Sequence, residues 1–355
     1  MRLLILRTSA LGDIVHCLPV LSALRRHAPQ AHIGWVLERT WIPLLEDHAL
    51  IDEILPVATK QWRKRGRLGQ SVGEILATRR RLREFRADAV LDLMGTHKSG
   101  VLARFSGCRR RIGLRKEDRR EPSSALWINH PVPARGVHAV DRALSVLAGL
   151  DSTFEQALEG SEAVDFRGEL LLPEPPPEAA RLLSEAPDNL AVILPGTAWG
   201  NKTYPAERWG EVARLLRDSV GLTPWVPAGP GEEPLAQSVA DASDGAARAL
   251  GLVDLPTLAA LCRRSRLVLG GDTGPTHLAH AVGAPVLELM GPTDPSTHGP
   301  YAAPHRALAR RLPCSFCHKR FGETKACLWV LSPAEVAARA VELLEDGSGG
   351  GDSSN

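Results

Sequence analysis

At 355 residues, with 44% hydrophobic and 24% charged, the chain has an ordinary globular composition and enough length for two domains. No apolar run approaches the roughly 20 residues of a membrane-spanning helix, and the opening stretch is too short and too soon charged for a secretory signal. These features predict a cytoplasmic chain whose six cysteines are thiols or metal ligands rather than disulfides. Net charge is +2, yet residues 60–120 hold 19 Lys or Arg against 6 Asp or Glu, a local +13 that leaves −11 for the remainder. That excess, with the clusters RRRLR (79–83) and RRRIGLRK (109–116), implies an anionic partner, either nucleic acid or an acidic membrane surface. A solvated helix face accounts for RRRLR equally well.

In chain order, RLLILR (2–7), HIGWVL (32–37) and DAVLDLM (88–94) read as buried strands. Segments 13–27, 70–86 and 138–149 have helical spacing, with Pro19 kinking or shortening the first. Alternation of this kind builds a parallel sheet with crossover helices. The proline-rich stretch 151–188 reads as an interdomain connection. Alternation then resumes, with strands at 190–196, 222–229, 266–272 and 284–291 and helices at 205–220, 255–265 and from Pro275. The expected organisation is a first Rossmann-like domain over 1–170 and a second over 171–346, whose last helix is free to pack back on the first. Residues 347–355 are expected to form a disordered tail. Such units bind ligands outside the carboxyl ends of their strands. Asp13, 95–98, 195–202, 229–232 and 271–277 all follow predicted strands.

Several fingerprints are missing: no G-x-G-x-x-G opens a helix after the first strand, and there is no Walker A loop, no G-x-S-x-G elbow and no D-x-D pair. Asp13 stands after a glycine and before a helix. Aspartate is a preferred N-cap residue, and the same position suits a carboxylate that takes a proton from a sugar hydroxyl. In GGDTGPTHLAHAVG (270–283) a strand ends in glycines and a helix begins with free amides, an arrangement that attracts a diphosphate. Gly274 admits phosphate to the backbone, Thr273 can donate, Asp272 suits sugar hydroxyls, and His277 lies one turn in. His277 and His280, three apart, also offer a metal pair with the nearby carboxylate. Thr197 and Lys202 sit in a strand–helix loop where an ammonium can neutralise a departing diphosphate. Glu232, in GPGEE, can accept from ribose hydroxyls. Cys314, Cys317 and Cys327, with His318 adjacent, have the spacing of a structural zinc site, against which stand reduced thiols.

Together these stretches resemble glycosyltransferase family 9, the ADP-heptose lipopolysaccharide heptosyltransferases, and most of all the type that adds the first heptose. The similarity runs from RLLILRTSALGDIVHCLPVLSAL to VLELMGPTDPSTHGPYA. The opening K/R-x-S-x-x-G-D and the D-T-G-x-x-H followed by G-P-T-D-P are specific as a pair. The resemblance implies an α/β GT-B fold, two facing Rossmann-like domains with parallel sheets and a cleft between them. It implies inverting, metal-independent transfer from ADP-L-glycero-D-manno-heptose to Kdo of Kdo-lipid A, with no cofactor and no nucleic acid, at the cytoplasmic face of the inner membrane. By the same resemblance Asp13 is the base, Thr197, Lys202, Thr273 and Gly274 bind the ADP phosphates, Glu232 meets ribose, and Asp272 and His277 meet heptose. Arg63, Lys64, Lys98, Arg120, His138 and Arg142 match the acceptor side.

Two features depart from the family pattern: Tyr204 stands where tryptophan is common, and the cysteine-rich segment is foreign to the first-heptose type. Transfer to another core position, as in type II heptosyltransferases, is the alternative within the family. Outside it stand a non-catalytic nucleotide- or nucleic-acid-binding protein, against which the 5% aromatic content counts, and a GT-B epimerase acting on the donor without any acceptor.

Overall fold

The aliphatic run at the start of the chain forms β1 (Arg2–Leu6), in which Leu3, Leu4, Ile5 and Leu6 are wholly buried. A strand apolar on both faces belongs inside a parallel sheet covered by helices. In the computed structural model β1 lies there, paired in parallel with β2 (His32–Glu38) on one side and β4 (Ala89–Asp92) on the other. β3 (Glu53–Val57) lies beyond β2, and β5 (Arg111–Leu114) and β6 (His130–Val132) lie beyond β4, giving the order β3-β2-β1-β4-β5-β6. The structure describes residues 1–62, 68–151, 154, 175–177, 179–320 and 322–348. The chain divides into two units, Met1–Pro173 and Glu174–Asn355.

The second unit repeats the plan. β7 (Leu190–Leu194) and β10 (Leu267–Gly271) pair at the centre. β8 (Thr223–Ala228) and β9 (Arg248–Leu252) extend one side, and β11 (Val286–Met290) and β12 (Ala307–Ala309) the other. In both sheets the first and fourth strands of the unit are neighbours, and the chain leaves them in opposite directions. That reversal opens a crevice at their carboxyl ends, where ligands of such sheets bind.

Pro19 splits the first helical segment into Leu11–Val15 and Pro19–His27, because a proline at N1 starts a helix without a missing bond. The last helix, Pro333–Ser348, packs in the second unit: Val336, Ala337, Ala340 and Leu343 share a core with Trp209 and Val212 of the helix Ala206–Val220. Its apolar stripe is spent there. Among the described residues no helix is long and apolar enough to cross a membrane. Of the tail expected over 347–355, Gly347 and Ser348 instead continue the last helix, whereas 349–355 and most of the proline-rich connection fall outside the described residues.

Candidate active site

In the first unit the switch point lies between the ends of β1 and β4, and Arg7 ties the two together. Its Nη1 donates to the Leu93 carbonyl at 2.7 Å, and its Nη2 stands 2.6 Å from Asp13 Oδ1. Asp13 is the third residue of the helix Leu11–Val15, not its N-cap, which is Ala10. Asp13 Oδ2 accepts from the Ala10 amide at 3.2 Å, so the side chain turns back to cap the helix while remaining half-buried. In this conformation the carboxylate is held by the Ala10 amide and the Arg7 guanidinium. Lys98, the second residue of the helix His97–Phe105 that follows β4, donates to Ser9 Oγ at 3.2 Å and lies 4.0 Å from Glu38 Oε1. Burial lowers the Lys98 ammonium from its ordinary pKa, and Arg7, Lys60 and Arg120 add to the effect against Glu38.

Other acceptor candidates separate. Arg120 is exposed, and its amide lies against Gly95. Its neighbour Arg119 is the buried one, paired with Asp92 and donating to Ser124 Oγ at 2.8 Å. His138 caps the helix Ala139–Ser145 by accepting from the Val140 amide at 3.2 Å, and its ring meets the edge of His16 at 5.4 Å. Arg142 donates to the Asp118 carbonyl. Arg63 and Lys64 lie outside the described residues.

In the second unit the loop after β7 meets the loop after β10. Lys202 Nζ stands 2.5 Å from Asp272 Oδ2, and His277 Nε2 lies 3.1 Å from Asp272 Oδ1. Thr197 donates its hydroxyl to the Trp199 carbonyl at 2.6 Å, and its oxygen is 2.9 Å from that of Thr203. Thr273 is the N-cap of the helix Gly274–Ala281, but its side chain makes no capping bond and pairs instead with Thr276 at 3.1 Å. The first-turn amides are thus left to an incoming anion. Glu232 accepts from the Gly229 amide at 3.1 Å and lies over Gly196, where a methyl group would run into its carboxylate. Every donor-side residue expected from the sequence is in or beside these loops.

Three features had no sequence signal. The Trp199 ring lies 4.5 Å from Lys202 Nζ and 5.9 Å from the Arg320 guanidinium. The cysteine-bearing segment is clamped on the same loop. Buried Asn201 donates to the Lys319 carbonyl at 2.7 Å, Arg320 to Ala198 at 3.0 Å, and Thr324 to Thr203 at 2.9 Å. Glu288, on β11, is 1% exposed, with Oε1 lacking a hydrogen-bond partner and 3.9 Å from His277 Nδ1.

The charges in this cluster shape one another. Burial pushes the Glu288 carboxyl up to about 8, against the pull of His277 and Lys202. Burial would also raise Asp272, but bonds from His277 and Lys202 outweigh it and hold that carboxyl well below the usual range. Burial works against the His277 imidazolium, and Glu288 with Asp272 overcomes it, leaving the imidazole above its ordinary pKa.

Among the described residues, the one group of three His, Cys, Asp or Glu side chains with ligand atoms within 4.8 Å of one another is Asp272, His277 and Glu288. The cation standing against it is the Lys202 ammonium. The three cysteines form no such group: Cys314 is exposed, Cys317 half-buried, and Cys327 buried in the short helix Ala326–Trp329 beneath Gly291. Burial raises the Cys327 thiol, and Cys314 and Cys317 lie near enough to add to the effect. His280 turns away from His277, its Nε2 lying 3.1 Å from the Tyr301 carbonyl.

Two parallel six-stranded sheets of this order, each with polar residues at its switch point, form an α/β fold of the GT-B class. The family model described as glycosyltransferase family 9 (heptosyltransferase) matches residues 75–327, and the chain belongs to that family; it is a glycosyltransferase. It is 33% identical over 327 residues to lipopolysaccharide heptosyltransferase 1 of Pseudomonas aeruginosa strain PAO1, a match spanning 90% of this chain and 87% of that protein. The solved E. coli heptosyltransferase WaaC with ADP superposes with a TM-score of 0.75 at 29% identity, over 97% of this chain and 100% of that one. WaaC with ADP-2-deoxy-2-fluoro heptose gives 0.72 at 28% identity, over 98% and 100%.

Proposed function

We propose that this chain transfers heptose from ADP-L-glycero-D-manno-heptose to a Kdo hydroxyl of Kdo-lipid A, with inversion and without a metal, at the cytoplasmic face of the inner membrane. The observation that carries the reading is the Lys202 ammonium beside a helix N-terminus whose capping side chain is turned away. An anionic leaving group needs both charge and amide donors, supplied in advance of the reaction. The similar WaaC structure was solved with ADP, which supports a nucleoside diphosphate at this site.

In this reading the second unit holds the donor. Lys202 and the amides of the helix Gly274–Ala281 take the diphosphate, Thr197 and Thr273 add hydroxyls, Glu232 accepts from ribose, and Asp272 with His277 meets the heptose. The first unit supplies the base. Asp13 removes the proton from the acceptor hydroxyl as its oxygen bonds to the anomeric carbon, and the bond to the phosphate oxygen breaks with its electron pair leaving on ADP. Arg7 holds the carboxylate in place, and Lys98, in the first turn of the helix after β4, can pair with a Kdo carboxylate.

The test is ADP release from the donor, with and without Kdo2-lipid A, in chelator, for the wild type and Asp13→Asn. Asparagine retains an oxygen for the Ala10 amide but removes the base. Acceptor-dependent release that falls at least about 100-fold in the variant, with ADP binding retained, is the expected result. Undiminished turnover would return Asp13 to capping alone, and no release with any core acceptor would overturn the transfer itself.

A further inference from the structure

The helix Leu68–Glu84 divides its surface sharply. Thr78 and Leu82 are buried against the sheet, as is Phe85 just past the helix end. At 3.6 residues per turn, Val72, Leu76, Arg79, Arg80 and Arg83 fall on one stripe opposite them. All five are exposed, Val72 at 53% and Leu76 at 56%. Arg86, past the helix end, is exposed too. With Arg79, Arg80 and Arg83 it lines a shallow cavity of about 410 Å³. The one acid on this surface is Glu84, paired with Arg80 at 2.8 Å. Among the described residues, Arg79, Arg83 and Arg86 have no ion-pair partner.

A solvated helix face requires charge but no bare aliphatic side chains. A nucleic-acid surface favours aromatic platforms, and this stripe contains none. Two aliphatic side chains in line with unpaired guanidinium groups match a phospholipid interface, where the apolar groups enter the headgroup boundary and the cations meet phosphate.

We propose that this outward stripe is a docking surface for an anionic phospholipid bilayer, with Val72 and Leu76 entering the interface and Arg79, Arg80, Arg83 and Arg86 meeting lipid phosphates. The inference rests on the proposed function for the reason to dock: an acceptor with a lipid A anchor is carried in a bilayer. Binding through this stripe is interfacial, salt-sensitive and reversible, and it places the first unit at the surface that holds the acceptor.

Co-sedimentation of the full chain with vesicles of phosphatidylcholine, alone or mixed with phosphatidylglycerol, tests it. The wild type is expected to partition onto the mixed vesicles only, and to lose most of that binding at about 0.5 M salt. Each arginine near an anionic leaflet contributes roughly fivefold, so Arg79→Gln/Arg83→Gln should lower partitioning roughly 20-fold. Val72→Ser/Leu76→Ser should lower it several-fold, and Arg115→Gln/Lys116→Gln, equal in charge change but elsewhere in the basic segment, should leave it unaltered. Equal binding to both vesicles, an unaffected Arg79/Arg83 variant, or an equal loss in the Arg115/Lys116 control would overturn the assignment. Single-stranded RNA binding that falls in the Arg79/Arg83 variant while vesicles stay unbound would give the stripe to nucleic acid instead. Vesicle binding needs neither donor nor turnover. ADP release with a water-soluble Kdo acceptor, which these variants should leave unchanged, fails only if the transfer reading itself fails.

Discussion

Lys202 Nζ and Asp272 Oδ2 meet at 2.5 Å, joining the loop after β7 to the loop after β10 across 70 positions of sequence. Both side chains are largely buried, 13% and 8% exposed. The pair therefore does two jobs: it closes the switch point of the second sheet, and it fixes an ammonium beside the helix that begins at Gly274. Removing one partner of such a pair leaves the other buried without its counter-charge, at a cost of about 3 kcal/mol.

Lys202→Met is accordingly expected to lower both stability and turnover, and thermal melts with single-turnover ADP release separate the two. Turnover should fall roughly 100- to 1000-fold, the scale of losing one group that stabilises developing charge. In acid the wild type should hold on longer than an ordinary carboxylate pair would. Asp272 is held far below its usual range, so the stability it contributes is complete above the unfolded pKa of about 3.9 and is lost only as pH falls through the lower folded value. A Lys202→Met protein that turns over like the wild type would remove this residue from the chemistry.

Glu232 is held over Gly196 by the Gly229 amide. In Gly196→Ala the new methyl displaces the end of a flexible side chain rather than backbone, so the fold should survive with little change in Tm. The proposed ribose contact should not survive. Wild type is expected to bind ADP better than 2′-deoxy-ADP by roughly 10- to 150-fold, the worth of a hydrogen bond to a charged group, and the variant should bind the two alike. Retained discrimination in the variant would release Glu232 from the ribose.

The legible parts of this fold were those written in local periodicity. Buried strands such as β1, β4, β7 and β10 are unbroken aliphatic runs, and the residues at their ends form the switch-point loops. Several outlying strands were missed for physical reasons. β5 (Arg111–Leu114) lies within an arginine cluster, β6 begins His130-Pro131, and β9 exposes Arg248, Gly251 and Leu252, so none presents an apolar run. The site was legible where its residues adjoin in sequence, as in Asp272 to His277. It was silent where they meet across the fold. Nothing local marks Trp199 as the ring beneath Lys202, or Arg119 rather than Arg120 as the buried guanidinium. The same limit applies to the cysteine segment: nothing local marks its contacts with the loop after β7.

That clamp turns on Asn201, fully buried and 118 residues from the Lys319 carbonyl it bonds at 2.7 Å. Asn201→Asp keeps the shape but places an acceptor against an acceptor, at a cost of about 1–3 kcal/mol. The segment 312–325 should loosen. Cys314 and Cys317 are then expected to react several-fold faster with a thiol reagent, and KM for the donor should rise while kcat stays close to wild type. Unchanged thiol reactivity and an unchanged KM would show that the segment holds its place without this bond.

Glu288 is the last member of the buried cluster, and its raised carboxyl pKa predicts a pH-dependent stability. The folded chain keeps the Glu288 proton to about pH 8, whereas an unfolded glutamate releases it near pH 4.3. Between those values the folded state binds more protons, so stability falls as pH rises. His277 acts in the same direction. Its folded pKa is above the unfolded value of about 6.5, so its contribution is complete below that value and is lost as pH rises through the folded one. Wild-type Tm is therefore expected to decline from mildly acidic to mildly alkaline pH. Glu288→Gln removes the titrating carboxyl, and with it the larger part of the decline. The glutamine should be the more stable protein above neutral pH, by on the order of 1–3 kcal/mol, because no carboxyl must be deprotonated without a hydrogen-bond partner. Parallel Tm profiles for the two proteins from pH 5 to 9 would show that Glu288 does not titrate in this window, and would leave His277 to account for any slope that remains.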